Sequence, residues 1–186
     1  MEARFDSSQW SIFRDSIREA TQADIDEGAL RLDDLVRNRV AFTAYWGSTI
    51  DSLRPQLSKG ARDDLDYDEE FLNVDWTLWR SEDRGPWAFI EAENDIRSAY
   101  DEISKLACLN APVRALITKG KLSSNDRWDV NLRLGEWNEQ LKRYHQAARL
   151  PLAYPLGVIV VCTNGEGSRI RSYTLFAGDV VEEAAW

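Results

Sequence analysis

The run Val113-Arg114-Ala115-Leu116-Ile117-Thr118 is short and nearly all apolar, and it is set between two segments of helical periodicity. Before it, Ile96, Ala99, Tyr100, Ile103, Leu106 and Ala107 predict a helix from Asn94 or Asp95 to about Leu109. After it, Trp128, Leu132, Leu134, Trp137, Leu141 and Tyr144 predict a second helix from Asp126 to about Arg149, with Gly135 its weak point. A buried strand between two helices, with more strand-like runs outside them, has to sit in a sheet that helices cover. The expected class is therefore α/β.

The outer runs fill in the sheet. Phe71 to Trp79 and Trp87 to Glu93 are rich in aromatic and branched residues around the turn-forming stretch Ser81 to Pro86, which reads as a β-hairpin. Gly157–Thr163 and Ile170–Phe176 form a second hairpin through Asn164-Gly165-Glu166-Gly167. From Ser8 to about Leu57 the pattern is helical, with Trp10, Phe13, Ile17 and Ala20 on one stripe. Gly28 divides it into two helices, and Pro55 and Gly60 mark its end. The acidic run Asp63 to Glu70 reads as a solvated loop. With 186 residues and no linker-like stretch, one domain spanning 1–186 is expected.

Composition narrows the function classes. No stretch is apolar enough to cross a bilayer and the N-terminus lacks a basic-then-apolar leader, so a cytoplasmic protein without a membrane partner is expected. Cys108 and Cys162 are expected to be reduced thiols. A single histidine, His145, rules against a Cys/His zinc cluster and makes a histidine-based triad a poor fit. The Gly165 turn lacks the Lys-Ser/Thr ending of a phosphate loop. A net charge of −9 opposes a broad basic surface for nucleic acid, although carboxylates of a metal site would account for part of it.

The carboxylates of the first hairpin carry the chemistry. With a loop from Ser81 to Gly85, antiparallel pairing sets Trp79 opposite Trp87 and Asp75 opposite Glu91. Glu93, two residues on, shares the face of Glu91. Three like charges in one patch repel unless a proton or cation intervenes, and Mg²⁺ commonly takes one or two carboxylates together with waters and phosphate oxygens. Spacing alone is equally consistent with acids on a wet sheet edge.

An Asp on one strand, Glu91-x-Glu93 on the next, a helix and the strand Val113–Thr118 together resemble the core of the PD-(D/E)XK nuclease superfamily, over about residues 71–118. The resemblance implies a restriction-endonuclease-like mixed sheet flanked by helices, with an N-terminal helical segment. It implies a phosphodiesterase that uses Mg²⁺ or Mn²⁺ on nucleic acid, DNA foremost, with Asp75 and Glu91 as metal ligands. Glu93 stands at the position of the family's usual lysine and would be a base or a further ligand. Lys105 would be a lysine recruited from the following helix, although the helical wheel sets it opposite the apolar arc, paired with Glu102 in solvent. Glu19 is the candidate for an acid added from an N-terminal helix.

Trp79 and Trp87 share the acid-bearing face in this reading and become candidates for substrate contact, whereas Trp76, Trp128 and Trp137 have core spacing. Arg80, Arg84, Arg97 and Lys119 are basic residues near this site that could meet phosphates, and each is equally consistent with an ordinary surface charge. Two other functions are compatible with the same residues. One is a catalytically silent nuclease-like scaffold acting as a binding or regulatory protein. The other is an interaction subunit, possible because helices at both ends offer faces for a homo-oligomer.

Overall fold

The computed structural model describes residues 8–81, 85–122, 128–148, 154–164, 167–176 and 179–186. Helices α1 (Ser8–Asp26), α2 (Leu32–Arg37) and α3 (Arg39–Ala61) precede strands β1 (Leu65–Glu69), β2 (Trp76–Arg80) and β3 (Pro86–Glu93). Then come α4 (Tyr100–Cys108), β4 (Val113–Lys121), α5 (Val130–Ala148), β5 (Leu156–Asn164), β6 (Gly167–Phe176) and β7 (Asp179–Ala185). All seven strands form one sheet in chain order. The centre β3-β4-β5 is parallel, and both wings are antiparallel. The chain is thus a mixed α/β protein with a mixed sheet flanked by helices.

Parallel neighbours need crossovers, and α4 and α5 provide them on one face of the sheet. The N-terminal helices cover the other face. Strand periodicity sorts the core: Val113, Ala115 and Ile117 pack with Trp10, Phe13, Phe42, Trp46 and Ile50, whereas Leu116, Val158 and Val160 pack with Ile103, Leu106, Leu134 and Trp137. Burying one such large side chain stabilises by about 1.5–3 kcal/mol. Arg114 is only 2% exposed on the α4 face, and its guanidinium donates to the carbonyls of Leu106, Leu109 and Tyr154. It thereby caps the C-terminal end of α4. Burial alone brings its pKa down to about 10.

Several expectations need correction. The acidic run is not a loop: Leu65–Glu69 is an edge strand paired with β2, with Leu65 buried and Tyr67 half-buried between exposed Asp66 and Asp68. Its charges suit an edge, because they discourage pairing with another sheet. The segment 71–75 is not strand, since Phe71–Asn73 forms a 3-10 turn with Glu70, Leu72 and Asn73 all at positive φ (58°, 54° and 58°). Helix α3 runs through Pro55 because Leu53 and Leu57 are buried on either side of it. Their packing outweighs the roughly 3 kcal/mol that an internal proline costs. α4 starts at Tyr100 rather than at Asn94 or Asp95, and Tyr100 is 51% exposed instead of facing the sheet.

Strand β7 was not expected at all; Glu183 ties it to α1 by accepting from Trp10 Nε1 at 2.8 Å and Arg14 at 2.7 Å. The expected helix start at Asp126, the hairpin residues Gly165 and Glu166, and Arg84 lie outside the described residues. Cys108 is exposed, Cys162 is buried, and they are not paired. Among the described residues no helix is long and apolar enough to cross a membrane.

Two glycines make opposite demands. A Cβ on Gly157 would lie 2.2 Å from the Trp10 ring, so β5 needs a bare backbone for the indole to lie on. Gly135, in α5, has open space where its Cβ would be. Gly157→Ala should destabilise by about 1–3 kcal/mol through overpacking, and Gly135→Ala should stabilise by about 0.5–1 kcal/mol. Urea unfolding of the two variants beside the parent checks both signs.

Candidate active site

The β2–β3 register is Trp76 with Ile90, Thr77 with Phe89 and Leu78 with Ala88, which places Asp75 beside Glu91 as the spacing required. Asp75 lies just before β2, and its carboxylate continues the ladder by accepting from Ala92 N at 2.7 Å. Beyond Leu78 the register slips by one residue, so Trp79 meets Pro86 rather than Trp87. That bulge turns Trp87 onto the opposite face, where it is fully buried and donates to Gln9 Oε1. Trp87 therefore cannot touch a substrate. Trp79 stays half-buried, edge-on to Phe71 at 4.6 Å.

Glu91 shares a sheet face with Phe89 and is 3% exposed. Burial raises its pKa from 4.5 to about 8; Lys105 pulls against this, while Glu102 and Asp75 push with it. Asp75 is also raised, first by burial, with the Ala92 N–H, Lys105 and a hydrogen bond shared with Glu91 opposing the shift. Burial disfavours charge on either carboxyl, Glu102 adds to the effect on both, and the hydrogen bond between the two acids lets a proton on one be shared with the other.

Lys105 reaches this pair from α4. Its Nζ lies 2.5 Å from Glu91 Oε1, 2.6 Å from Glu102 Oε2 and 2.5 Å from the Asn73 carbonyl. Burial disfavours the ammonium, but its bonds to Glu102 and Glu91 outweigh that and hold its pKa above the ordinary value. The helical wheel foresaw the Glu102 pair. It did not foresee Glu91, because a wheel describes one helix alone and the side of α4 that carries Lys105 borders the end of the hairpin.

Asp75, Glu91, Glu93, Glu102 and Lys105 line one hollow of about 650 Å³, closed on the far side by Arg39 and Thr43 of α3. Glu93 turns its Oε1 to the backbone N–H of Asp95 at 2.9 Å, which fixes the turn after β3. Asn94, missed in the sequence as a site residue, donates to Thr43 at 3.2 Å, and its buried Oδ1 has no partner among the described residues. Arg39, also missed, is the first residue of α3; only the fold brings it to the hairpin. Glu19 is not brought in, since it accepts from Gln56 and borders a separate hollow with Trp186.

A second hollow of about 510 Å³ adjoins the first, and Arg39, Glu93 and Asn94 line both. Lys119 lines it, 8% exposed, donating to the Val36 carbonyl at 2.9 Å and sitting 5.4 Å from the Phe42 ring. Trp128 is half-buried rather than core, with the Arg97 guanidinium 4.3 Å from its ring centre and bonded to Asp95.

Among the described residues no group of three or more His, Cys, Asp or Glu side chains forms a ready metal cage. Asp75 and Glu91 are the carboxylates in this hollow that could hold Mg²⁺, a hard ion commonly taken by one or two carboxylates with waters and substrate oxygens.

The folded-state pKa of Glu91 lies above its unfolded value. This group therefore favours folding below about pH 4.5, and that favour is lost as pH rises to about 8. Glu91→Gln, which carries no charge, should gain about 2–4 kcal/mol relative to the parent between pH 5 and pH 8. Denaturant unfolding at the two pH values without metal measures the gain; an unchanged difference means that Glu91 titrates normally. Comparison with protein-family models, with curated proteins and with solved structures finds no match to this chain.

Proposed function

We propose that the chain is a Mg²⁺-dependent phosphodiesterase that cuts nucleic acid, DNA foremost. The observation that carries this reading is the Asp75–Glu91 pair at the end of the hairpin with the Lys105 ammonium brought onto Glu91 from the next helix. The likeness of element order to the PD-(D/E)XK core supports it.

Asp75 and Glu91 would hold the metal, with Glu93 on the same wall. When bound, the ion supplies a Lewis acid for the phosphoryl oxygen and a water of lowered pKa. The chain's own groups do the rest. The Ala92 N–H orients Asp75, and Glu91 must give up its proton before it can serve as a ligand. Lys105, pinned by Glu102 and the Asn73 carbonyl, sets a positive charge where a phosphate becomes more negative. Glu93 accepts a proton from water if Lys105 has only an electrostatic part.

The second reading, a silent scaffold, is favoured by the same ammonium, because Lys105 already bonds both Glu91 and Glu102 without any metal. The readings separate on turnover. A phosphodiesterase binds metal and cuts a labelled oligonucleotide, and Glu91→Gln loses both; a scaffold leaves the oligonucleotide intact.

Metal must displace the Glu91 proton, so Mn²⁺ affinity measured by calorimetry should rise about tenfold per pH unit up to about pH 8 and level off above it. A flat profile between pH 6 and pH 8 shows that Glu91 holds no proton for the metal to displace in that range. Lys105→Ala should keep Mn²⁺ binding and lower cleavage by on the order of 100-fold. Undiminished cleavage assigns the base to Glu93.

A further inference from the structure

We propose that the 510 Å³ hollow beside the acid pair holds one unpaired nucleotide next to the scissile phosphate, which makes the substrate a single strand rather than an intact duplex. The inference rests on the phosphodiesterase reading, because it takes the scissile phosphate to lie at Asp75 and Glu91. The two hollows adjoin, with Arg39, Glu93 and Asn94 lining both, so a strand lying over one reaches the other. Its volume is that of a small-ligand site. It also opens at the carboxyl ends of parallel strands β3, β4 and β5, where open α/β sheets hold ligands.

The lining matches the two parts of a nucleotide. Trp128 lines the hollow, and its backbone is fixed there because Lys121 N donates to its carbonyl at 2.8 Å. Arg97, held by Asp95, braces the indole. Arg39, Lys119 and Lys121 face the hollow, against Glu93 and an Asp95 already engaged by Arg97. Three cations against two carboxylates, in a chain of net charge −9, make this a place where a phosphate meets less repulsion than elsewhere. Asn94 Oδ1, buried and without a partner among the described residues, is an acceptor awaiting the N–H of a base edge. A base that is paired and stacked has neither that edge nor a face to offer.

Fluorescence anisotropy in EDTA tests this apart from any cleavage, with labelled single-stranded dodecathymidylate and the same strand annealed to its complement as probes. The parent should bind the single strand at least 10-fold tighter than the duplex. Trp128→Ala should weaken single-strand binding by roughly 5- to 100-fold, and Trp128→Phe, which keeps a stacking face, should restore most of it. Lys121→Ala should flatten the salt dependence of binding. Duplex binding as tight as single-strand binding overturns the proposal, as does an equal loss in Trp128→Ala and Trp128→Phe with both variants melting like the parent. Single-strand binding of this pattern, with no metal-dependent cleavage, supports the subsite and removes the phosphodiesterase reading instead.

Discussion

Glu91 carries its carboxyl on a sheet face whose other members include Phe89, Leu116 and Val158, and the energy of holding a charge there orders everything around it. An unpaired carboxylate in such a place costs several kcal/mol. The chain lowers that cost twice, by letting Glu91 keep its proton against Asp75 and by bringing Lys105 across from α4. Both devices need fixed backbones. The Ala92 N–H holds Asp75, and the Asn73 carbonyl and Glu102 hold Lys105. In the resulting cluster one ammonium stands between the carboxyls of Glu91 and Glu102.

The parallel centre of the sheet explains why this cluster lies where it does. Strands β3, β4 and β5 need both faces covered, and helices on each side take up the apolar residues along their length. Cover ends at the carboxyl ends of the strands, so polar residues collect there: Glu93 and Asn94 from β3 and just beyond, Lys119 and Lys121 from β4, Thr163 from β5. Arg39 enters from the other layer because α3 starts beside this rim.

Much of this was legible in the sequence. The alternation of Val113–Thr118 with helical stripes gave the class, and the hairpin spacing brought Asp75 to Glu91. What the sequence hid has physical reasons. A bulge at Leu78/Trp79 adds one residue on β3 and reverses Trp87, and no residue type announces it. The acidic edge strand was masked by its charges, although Leu65 and Tyr67 keep the period of two. Arg39 and Asn94 join the site only through tertiary packing; the one local hint for Asn94 was its place directly after Glu91-x-Glu93. For Lys105 the two readings of the sequence disagreed: the resemblance offered it to the acid site and the helical wheel set it in solvent beside Glu102, and the structure places its ammonium on both Glu91 and Glu102.

The left-handed residues Glu70, Leu72 and Asn73 have a consequence for how such a site ages and adapts. None is glycine, and each such conformation costs on the order of 1 kcal/mol, so the approach to β2 works as a compressed latch. It is stitched down by few bonds, among them Glu70 N to the Asp75 carbonyl and Asn73 N to the Glu70 carbonyl. Sequence drift along it, or a ligand pressing on it, would reset the Asn73 carbonyl and with it the ammonium of Lys105, leaving the seven-stranded sheet undisturbed.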